Sequence, residues 1–285
     1  MDQGVAGFVS NAGPGLRGDY SAAATDFSVA QDWDAYTPAQ HKLWRRLYTR
    51  QMKLLPGRAF DRHLECLAGF GTDAEIPRFE AVSERLQRAT RWTLVAVPGL
   101  IPDLAFFDHL AHRRFPVTVW LRKPEEFDYI VEPDVFHDFF GHVPLLADPA
   151  YADYLEAYGR GGLKAARLDA LDMLARLYWY TVEFGLIRTD AGLRIYGAGI
   201  LSSGGEVVHS LESAAPQRLA FDLERLLRTE YRIDRFQDTY FVIEDFTKLV
   251  ADTAPDFTAT YERLRELPAF APDARAAQDR PVASR

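Results

Sequence analysis

Three features are scarce in this chain of 285 residues, and each scarcity excludes a class of protein. Cys66 is the single cysteine, so no intrachain disulfide can form and a reducing compartment, the cytoplasm, is expected. No run of 18 apolar residues occurs and the N-terminus lacks a signal-peptide pattern, so neither membrane insertion nor secretion is expected. Basic residues number 33 against 41 acidic ones, and the formal charge of −8 disfavours nucleic acid and anionic membranes as partners.

The ends of the chain differ in composition from its centre. Residues 1–30 are rich in Gly, Ala and Ser and are expected to form a flexible arm, and residues 272–285 a flexible tail. Between them there is no Ser/Gly linker, repeat or block of charge, so residues 31–271 are predicted to form a single domain.

Helical patterns outnumber strand patterns in this central region. A helix is predicted over residues 38–55, after Thr37 as its cap, and further helices over 165–186 and 216–231. Residues 92–97 and 115–122 are rich in β-formers and predict short strands, and 189–201 predicts a turn followed by a strand. The expected fold class is α+β, mainly helical, with a few short strands.

The stretch "EPDVFHDFFGHVPLL" (132–146) places His137 and His142 five residues apart among apolar side chains. On an unbroken α-helix they would lie about 140° apart, so Gly141 and Pro144 are predicted to end the helix and let His142 turn back. Glu183 lies in "LYWYTVEFGL", where a buried carboxylate needs a cation or a proton. Two imidazoles and one carboxylate supply half of an octahedron, as in non-haem Fe(II) oxygenases.

Other interpretations of these residues stay open. A histidine with apolar neighbours is often a satisfied core residue, and two histidines with a glutamate also describe catalytic zinc sites. The string H-D-F-F-G-H differs from the H-E-x-x-H signature of zinc proteases in spacing and in its acid, which disfavours a zinc hydrolase. A metal that only clips two helices together is the non-catalytic alternative.

Three stretches, "EPDVFHDFFGHVPLL", "LYWYTVEFGL" and "YGAGILSSGGE", together resemble the pterin-dependent aromatic amino acid hydroxylases, most closely the bacterial members of that family. The resemblance runs from about Tyr36 to Phe257. It implies a mainly helical catalytic domain that hydroxylates L-phenylalanine to L-tyrosine. It also implies an Fe(II) cofactor, tetrahydrobiopterin or a related tetrahydropterin, and O2 as co-substrate.

The resemblance also implies roles for individual residues. His137, His142 and Glu183 would bind the iron, with Tyr178 close to it and Glu206 supporting the site. Asp138 has a longer glutamate as its counterpart, and Asp103 has a serine in animal enzymes, so these two pterin contacts depart from the pattern. The residues implied to bind the amino acid are Arg122, Trp179, Phe184, Gly199, Ser202 and Ile233, with Arg122 and Ser202 on its carboxylate. Those implied to bind the pterin are Gly99, Leu100, Ile101, Asp103, Phe106 and Asp138.

Two further expectations concern specificity and assembly. Tryptophan hydroxylases tend to have Phe where this chain has Trp179, and tyrosine hydroxylases have Asp at the position of Ile233, so phenylalanine is the expected substrate. Hydroxylation of tryptophan or tyrosine is the alternative within the family. The animal enzymes carry a regulatory domain and a tetramerising helix, and neither pattern is found here, so a monomer is expected.

Overall fold

Helices dominate the computed structural model, which describes residues 16–283. A 3₁₀ turn (Trp33–Ala35) precedes the first helix. Two π-helices are present, named π1 (His137–His142) and π2 (Trp179–Glu183). The α-helices are α1 (Pro38–Leu54), α2 (Asp61–Phe70), α3 (Phe79–Thr90), α4 (Asp103–Ala111), α5 (Pro149–Arg167), α6 (Leu171–Tyr178), α7 (Ala198–Ser202), α8 (Gly204–Glu212), α9 (Leu223–Leu227), α10 (Phe246–Thr253) and α11 (Thr258–Arg265).

Within residues 16–283, six short strands form two small sheets. They are β1 (Thr93–Val97), β2 (Arg114–Thr118), β3 (Leu186–Thr189), β4 (Gly192–Ile195), β5 (Gln217–Ala220) and β6 (Thr239–Ile243). The strands β1 and β2 pair in parallel, while the second sheet has the order β4-β3-β6-β5 with an antiparallel β3–β4 pair. The predicted class, mainly helical α+β, is therefore correct, and so are the strands predicted near 92–97 and 115–122.

Helix α1 shows how the sequence positions the histidine motif. Thr37 and Gln40 form a capping box and Pro38 occupies the first turn, so the helix begins where the sequence predicts. Its buried face carries Trp44, whose ring contacts Phe136 and Phe139 edge-on at 5.3 and 5.9 Å. The apolar residues around the histidines are thus the core contacts that fix π1 in place.

The single long helix predicted over 165–186 is wrong, because a turn at Asp169 divides it. Asp169 adopts a positive φ of 53°, and the amide of Ala170 donates to the carbonyl of Ala165 at 2.9 Å, which closes α5 with a Schellman turn. A second helix, α6, then starts at Leu171 and passes into π2. The helical spacing of the leucines continues across the turn, and so the sequence pattern does not reveal it.

The helix predicted over 216–231 is also wrong at its start. Residues 217–220 form β5, which pairs in parallel with β6, and the side chain of Asp222 then caps α9 by accepting from the amide of Arg225 at 3.0 Å. Residues 189–201 are predicted as a turn and a strand, but the strand ends at Ile195 and α7 follows it.

Both chain ends contact the central domain at residues that the structure describes. In the N-terminal part, the Tyr20 hydroxyl donates to the carbonyl of Leu100 at 2.8 Å, and the amide of Val29 donates to that of Ala96 at 2.9 Å. In the C-terminal part, the amide of Val282 donates to the carbonyl of Arg218 at 2.7 Å. Residues 1–15 and 284–285 lie outside the described residues, and the division into arm, domain and tail stays a prediction. None of the described helices is long and apolar enough to cross a membrane.

Candidate metal and substrate site

The spacing of the two histidines is explained by the π-helix. Residues 137–142 form π1, in which hydrogen bonds join residues five apart, and this wider turn brings side chains five apart closer to one face than an α-helix would. The prediction that Gly141 and Pro144 end the helix and free His142 gives the wrong reason for a correct pairing. Gly141 has a different role: a Cβ there would lie 2.8 Å from the carbonyl oxygen of Ala198, so glycine lets α7 approach closely.

The third ligand comes from a second π-helix. In π2 the amide of Phe184 donates to the carbonyl of Trp179 at 2.9 Å, a bond across five residues. This turn directs Glu183 towards the histidines. Its Oε1 lies 3.0 Å from Nε2 of His142, and its Oε2 lies 3.6 Å from Nε2 of His137.

These distances fit a metal ion. The two histidine Nε2 atoms lie 3.4 Å apart, and the ligand atoms of all three residues lie within 4.8 Å of one another. Ligands about 2.1 Å from a metal and at right angles to one another are separated by roughly 3 Å. The three side chains can therefore occupy one face of an octahedron, as the sequence predicts for an iron site.

Charge in this cluster also favours a cation. Glu183 is only 9% exposed. Burial alone would raise the pKa of its carboxyl group, but the adjacent His142 and His137 outweigh burial and lower that pKa below its usual range. The carboxylate is thus ionised and available as a ligand.

Two cavities meet at the triad. The larger one has a volume of about 220 Å³, and His137 and Glu183 line both. All six residues implied to bind the amino acid line the larger cavity: Arg122, Trp179, Phe184, Gly199, Ser202 and Ile233. The second cavity is lined by five of the six residues implied to bind the pterin, namely Gly99, Leu100, Ile101, Phe106 and Asp138, and by His142 and Tyr178. The structure thus brings the predicted substrate and pterin residues into two cavities that share the walls formed by His137 and Glu183.

Arg122 is held by a fully buried acid. Its Nε and Nη2 atoms each donate to a carboxylate oxygen of Asp134 at 2.8 Å. Asp134 also accepts from the backbone amide of His137 at 3.0 Å, so it links the arginine to the first metal ligand. One edge of the guanidinium group is therefore occupied within the protein, and a substrate carboxylate would have to meet its remaining N–H groups.

Ser202 contacts His137, a candidate metal ligand. Its hydroxyl donates to the carbonyl of Ala198 at 2.9 Å, and its oxygen lies 3.0 Å from Nδ1 of His137. Because the hydroxyl proton is used on Ala198, the oxygen accepts from Nδ1–H, which leaves Nε2 of His137 as the metal-binding nitrogen. The predicted role of Ser202 on the substrate carboxylate stays a prediction beside this contact.

We expect Ser202→Ala to lower iron affinity by about 10- to 100-fold, the usual effect of removing a hydrogen bond to a metal-binding histidine. Titration of the apoprotein with Fe(II) under anaerobic conditions measures this affinity. Ser210→Ala is the matched control, since that buried serine donates to the carbonyl of Val207, a residue outside both cavities. Equal iron affinity in the wild type and Ser202→Ala would contradict the assignment.

The second cavity has an aromatic wall and an acidic residue. The ring of Phe106 contacts that of Tyr178 edge-on, with centroids 5.6 Å apart, and Tyr178 in turn stacks at 6.1 Å on His142. Asp138 accepts from the amide of Thr118 at 2.8 Å, and burial raises the pKa of its carboxyl group. Asp103 is buried in the first turn of α4 but does not line this cavity, and so its predicted pterin contact lacks support.

Three residues near the larger cavity, called the amino acid cavity from here on, are absent from the sequence prediction. Gln237 and Tyr231 line this cavity and Asp134 pairs with Arg122, and nothing in their local sequence marks them. Glu206, predicted to support the site, lines this cavity. It accepts a hydrogen bond from the backbone amide of Gln237 at 3.0 Å. Burial raises the pKa of Glu206 to about 7.

A facial triad of two histidines and one carboxylate, open to two cavities, is typical of a mononuclear non-haem metal oxygenase. Comparison with known proteins identifies the family within this class. The family model of the biopterin-dependent aromatic amino acid hydroxylases matches residues 5–269. The chain belongs to this family, as its motifs predict.

Named relatives and solved structures agree with the family. The chain is 61% identical over 246 residues to the phenylalanine-4-hydroxylase of Ralstonia nicotianae, covering 86% of this chain and 79% of that protein. It is 59% identical over 244 residues to that of Chromobacterium violaceum, covering 85% and 82%. A crystal structure of the C. violaceum phenylalanine hydroxylase with iron and phenylalanine bound matches with a TM-score of 0.88 and 56% identity, covering 92% of this chain and 96% of that one.

Proposed function

We propose that this protein is a phenylalanine 4-monooxygenase that uses Fe(II), a tetrahydropterin and O2 to convert L-phenylalanine to L-tyrosine. The observation that carries the proposal is the position of the triad. His137 and Glu183 line both cavities, so an amino acid on one side and a pterin on the other would meet at the same ion.

The chain's own residues would orient the amino acid. The guanidinium group of Arg122 would bind its carboxylate, while Trp179 and Phe184, whose centroids lie 4.8 Å apart, would hold its ring. Gly199 fits this packing, since a Cβ there would lie 2.7 Å from Cζ of Phe184. The arrangement would fix the ring carbon that reacts relative to the metal ligands.

On the other side, the turn Gly99–Leu100–Ile101 and the ring of Phe106 would hold the pterin, with Asp138 as a polar contact. Phe106 offers an aromatic face to a flat bicyclic ring. Iron and pterin, when bound, would supply the redox chemistry that activates O2. The protein's share is to hold both reactants and to limit the access of water to the metal.

An aerobic assay tests the proposal. Iron-loaded protein is incubated with tetrahydropterin and with phenylalanine, tyrosine or tryptophan separately, and the products are resolved by chromatography. We expect tyrosine from phenylalanine, only when iron and pterin are both present. Hydroxylation of tryptophan or tyrosine at equal efficiency would instead favour another specificity within the family. Hydrolytic activity of a zinc-loaded sample without pterin or oxygen would favour a zinc hydrolase.

Ile233 provides a test of substrate choice. This residue lines the amino acid cavity, and an apolar side chain there suits an unsubstituted ring, because it offers no hydrogen bond to a phenol hydroxyl. We expect Ile233→Asp to lower kcat/KM for phenylalanine roughly tenfold, with Ile233→Val as the conservative control. Unchanged phenylalanine kinetics in the aspartate variant would remove this residue from the specificity argument.

We also propose that the protein acts as a monomer in the cytoplasm. The single cysteine supports a reducing compartment, and the lack of a heptad-patterned helix supports the monomer. Light scattering of the purified protein tests the monomeric state, and a tetramer would contradict it.

A further inference from the structure

The indole of Trp179, which forms a wall of the amino acid cavity, is fixed by more than stacking. Its ring stacks on Tyr231 with centroids 4.3 Å apart and planes at 16°. Stacking restrains the plane of an indole but is equally compatible with a ring flipped over within that plane. A directional contact is needed to select one of the two orientations.

Gln237 provides that contact. The indole N–H of Trp179 donates to Oε1 of Gln237 at 2.8 Å, and Gln237 is only 3% exposed. The amide nitrogen of the same side chain donates to the carbonyls of Arg232 and Arg235 at 2.9 and 3.4 Å. Since the nitrogen faces two carbonyls, the oxygen must face the indole, and so every polar atom of the amide has a suitable partner.

The backbone of Gln237 is anchored as well. Its amide donates to Oε1 of Glu206 at 3.0 Å, and the hydroxyl of the fully buried Tyr240 donates to the same oxygen at 2.7 Å. Neither end of the glutamine is therefore free to move without breaking buried hydrogen bonds, which are costly to leave unmade.

The carbonyls that Gln237 holds belong to the loop 232–235, and this loop carries Ile233 into the cavity. One side chain thus joins two elements of the cavity wall that are distant in sequence, π2 with Trp179 and the loop with Ile233. On the basis of the proposed function, we propose that Gln237 is a positioning residue for substrate specificity. It fixes the position of Trp179 relative to the loop that carries Ile233. The distance between these two walls sets the width of the amino acid cavity around the substrate's ring.

Gln237→Met keeps the size of the side chain but removes its acceptor and donors. We expect KM for phenylalanine to rise and the ratio of kcat/KM for phenylalanine to that for tryptophan to fall about tenfold, as for loss of a buried hydrogen bond. Gln217→Met is the matched control, because Gln217 also donates to backbone carbonyls but does not line the cavity. The control variant should keep the selectivity of the wild type.

A double-mutant cycle separates positioning from general stability. Trp179→Phe has no indole N–H, so adding Gln237→Met to it should change selectivity less than the same change does in the wild type. Equal changes in both backgrounds would overturn the proposal, because Gln237 would then act without Trp179. Thermal unfolding of each variant is measured in parallel, so that a loss of stability is not mistaken for a loss of selectivity.

The wild-type protein offers a second measurement. The indole N–H signal of Trp179 is assigned by its absence from the spectrum of Trp179→Phe, and its proton should exchange slowly with solvent. Fast exchange would overturn the proposal. A protein that hydroxylates phenylalanine yet shows an additive cycle refutes this inference alone, whereas one that hydroxylates no aromatic amino acid refutes the proposed function.

Discussion

Glu183→Gln is expected to lower iron affinity by roughly 10²- to 10⁴-fold, with a parallel loss of hydroxylation at limiting iron. Removing one charged partner from a buried cluster typically costs about 3–5 kcal/mol, and each 1.36 kcal/mol corresponds to a factor of ten. Glutamine has nearly the same shape as glutamate, so the packing in π2 is retained. The effect therefore reports the charge and basicity of the ligand.

Metal analysis after gel filtration, combined with the assay at increasing iron, measures this effect. Glu212→Gln is the matched control, since Glu212 lies at the surface in an ion pair with Arg58. A Glu183→Gln protein that retains a full equivalent of iron would show that the carboxylate is not a ligand. Activity restored by high iron would show that affinity, rather than reactivity, is impaired.

The second large effect is expected from Arg122→Met, which should both destabilise the fold and weaken phenylalanine binding. The variant leaves the carboxylate of Asp134 buried without its cation, which costs about 3–5 kcal/mol in the free energy of unfolding. Loss of hydrogen bonds from a charged donor to the substrate carboxylate should lower kcat/KM for phenylalanine by roughly 10- to 150-fold. Denaturant unfolding and steady-state kinetics measure the two effects separately.

Two further variants assign each effect to its cause. Adding Asp134→Asn to Arg122→Met removes the unpaired charge, so stability should recover in large part while kcat/KM stays low. Arg225→Met breaks another buried pair, with Asp279 at 2.8 Å, and neither residue of this pair lines either cavity. It should cost similar stability but leave KM for phenylalanine unchanged. Normal phenylalanine kinetics in Arg122→Met would refute its role in binding.

The candidate metal ligands could be predicted from sequence because they are polar side chains with apolar neighbours. His137, His142 and Glu183 are polar groups in apolar stretches, and such groups require partners. Asp134 and Gln237 could not be found in this way, since an acid near a proline and a glutamine in a polar loop are ordinary. Their importance comes from long-range contacts, which one sequence read locally does not display.

The prediction of secondary structure was wrong in two places for a related reason. Residues 217–220 carry no strong strand pattern and precede a leucine-rich helix, so local spacing favours helix throughout. Their state is decided by the parallel register with β6, in which Leu219 faces Phe241. The turn at Asp169 was hidden in the same way, because leucines on either side of it keep a helical spacing. Local pattern predicted the class of the fold better than the ends of its elements.

Because both ligand segments are π-helical, the geometry of the metal site depends on the number of residues in each segment. A single residue inserted into an α-helix produces a π turn, while the helix on either side keeps its original facing. Deleting one residue between His137 and His142 would remove the need for π geometry and return the histidines to a four-residue spacing, where an α-helix would also bring them together. It would also carry Gly141 away from Ala198, its close neighbour in α7. We therefore expect a relative that lacks one residue between the two histidines to have a different active-site wall, even where all three ligands are retained.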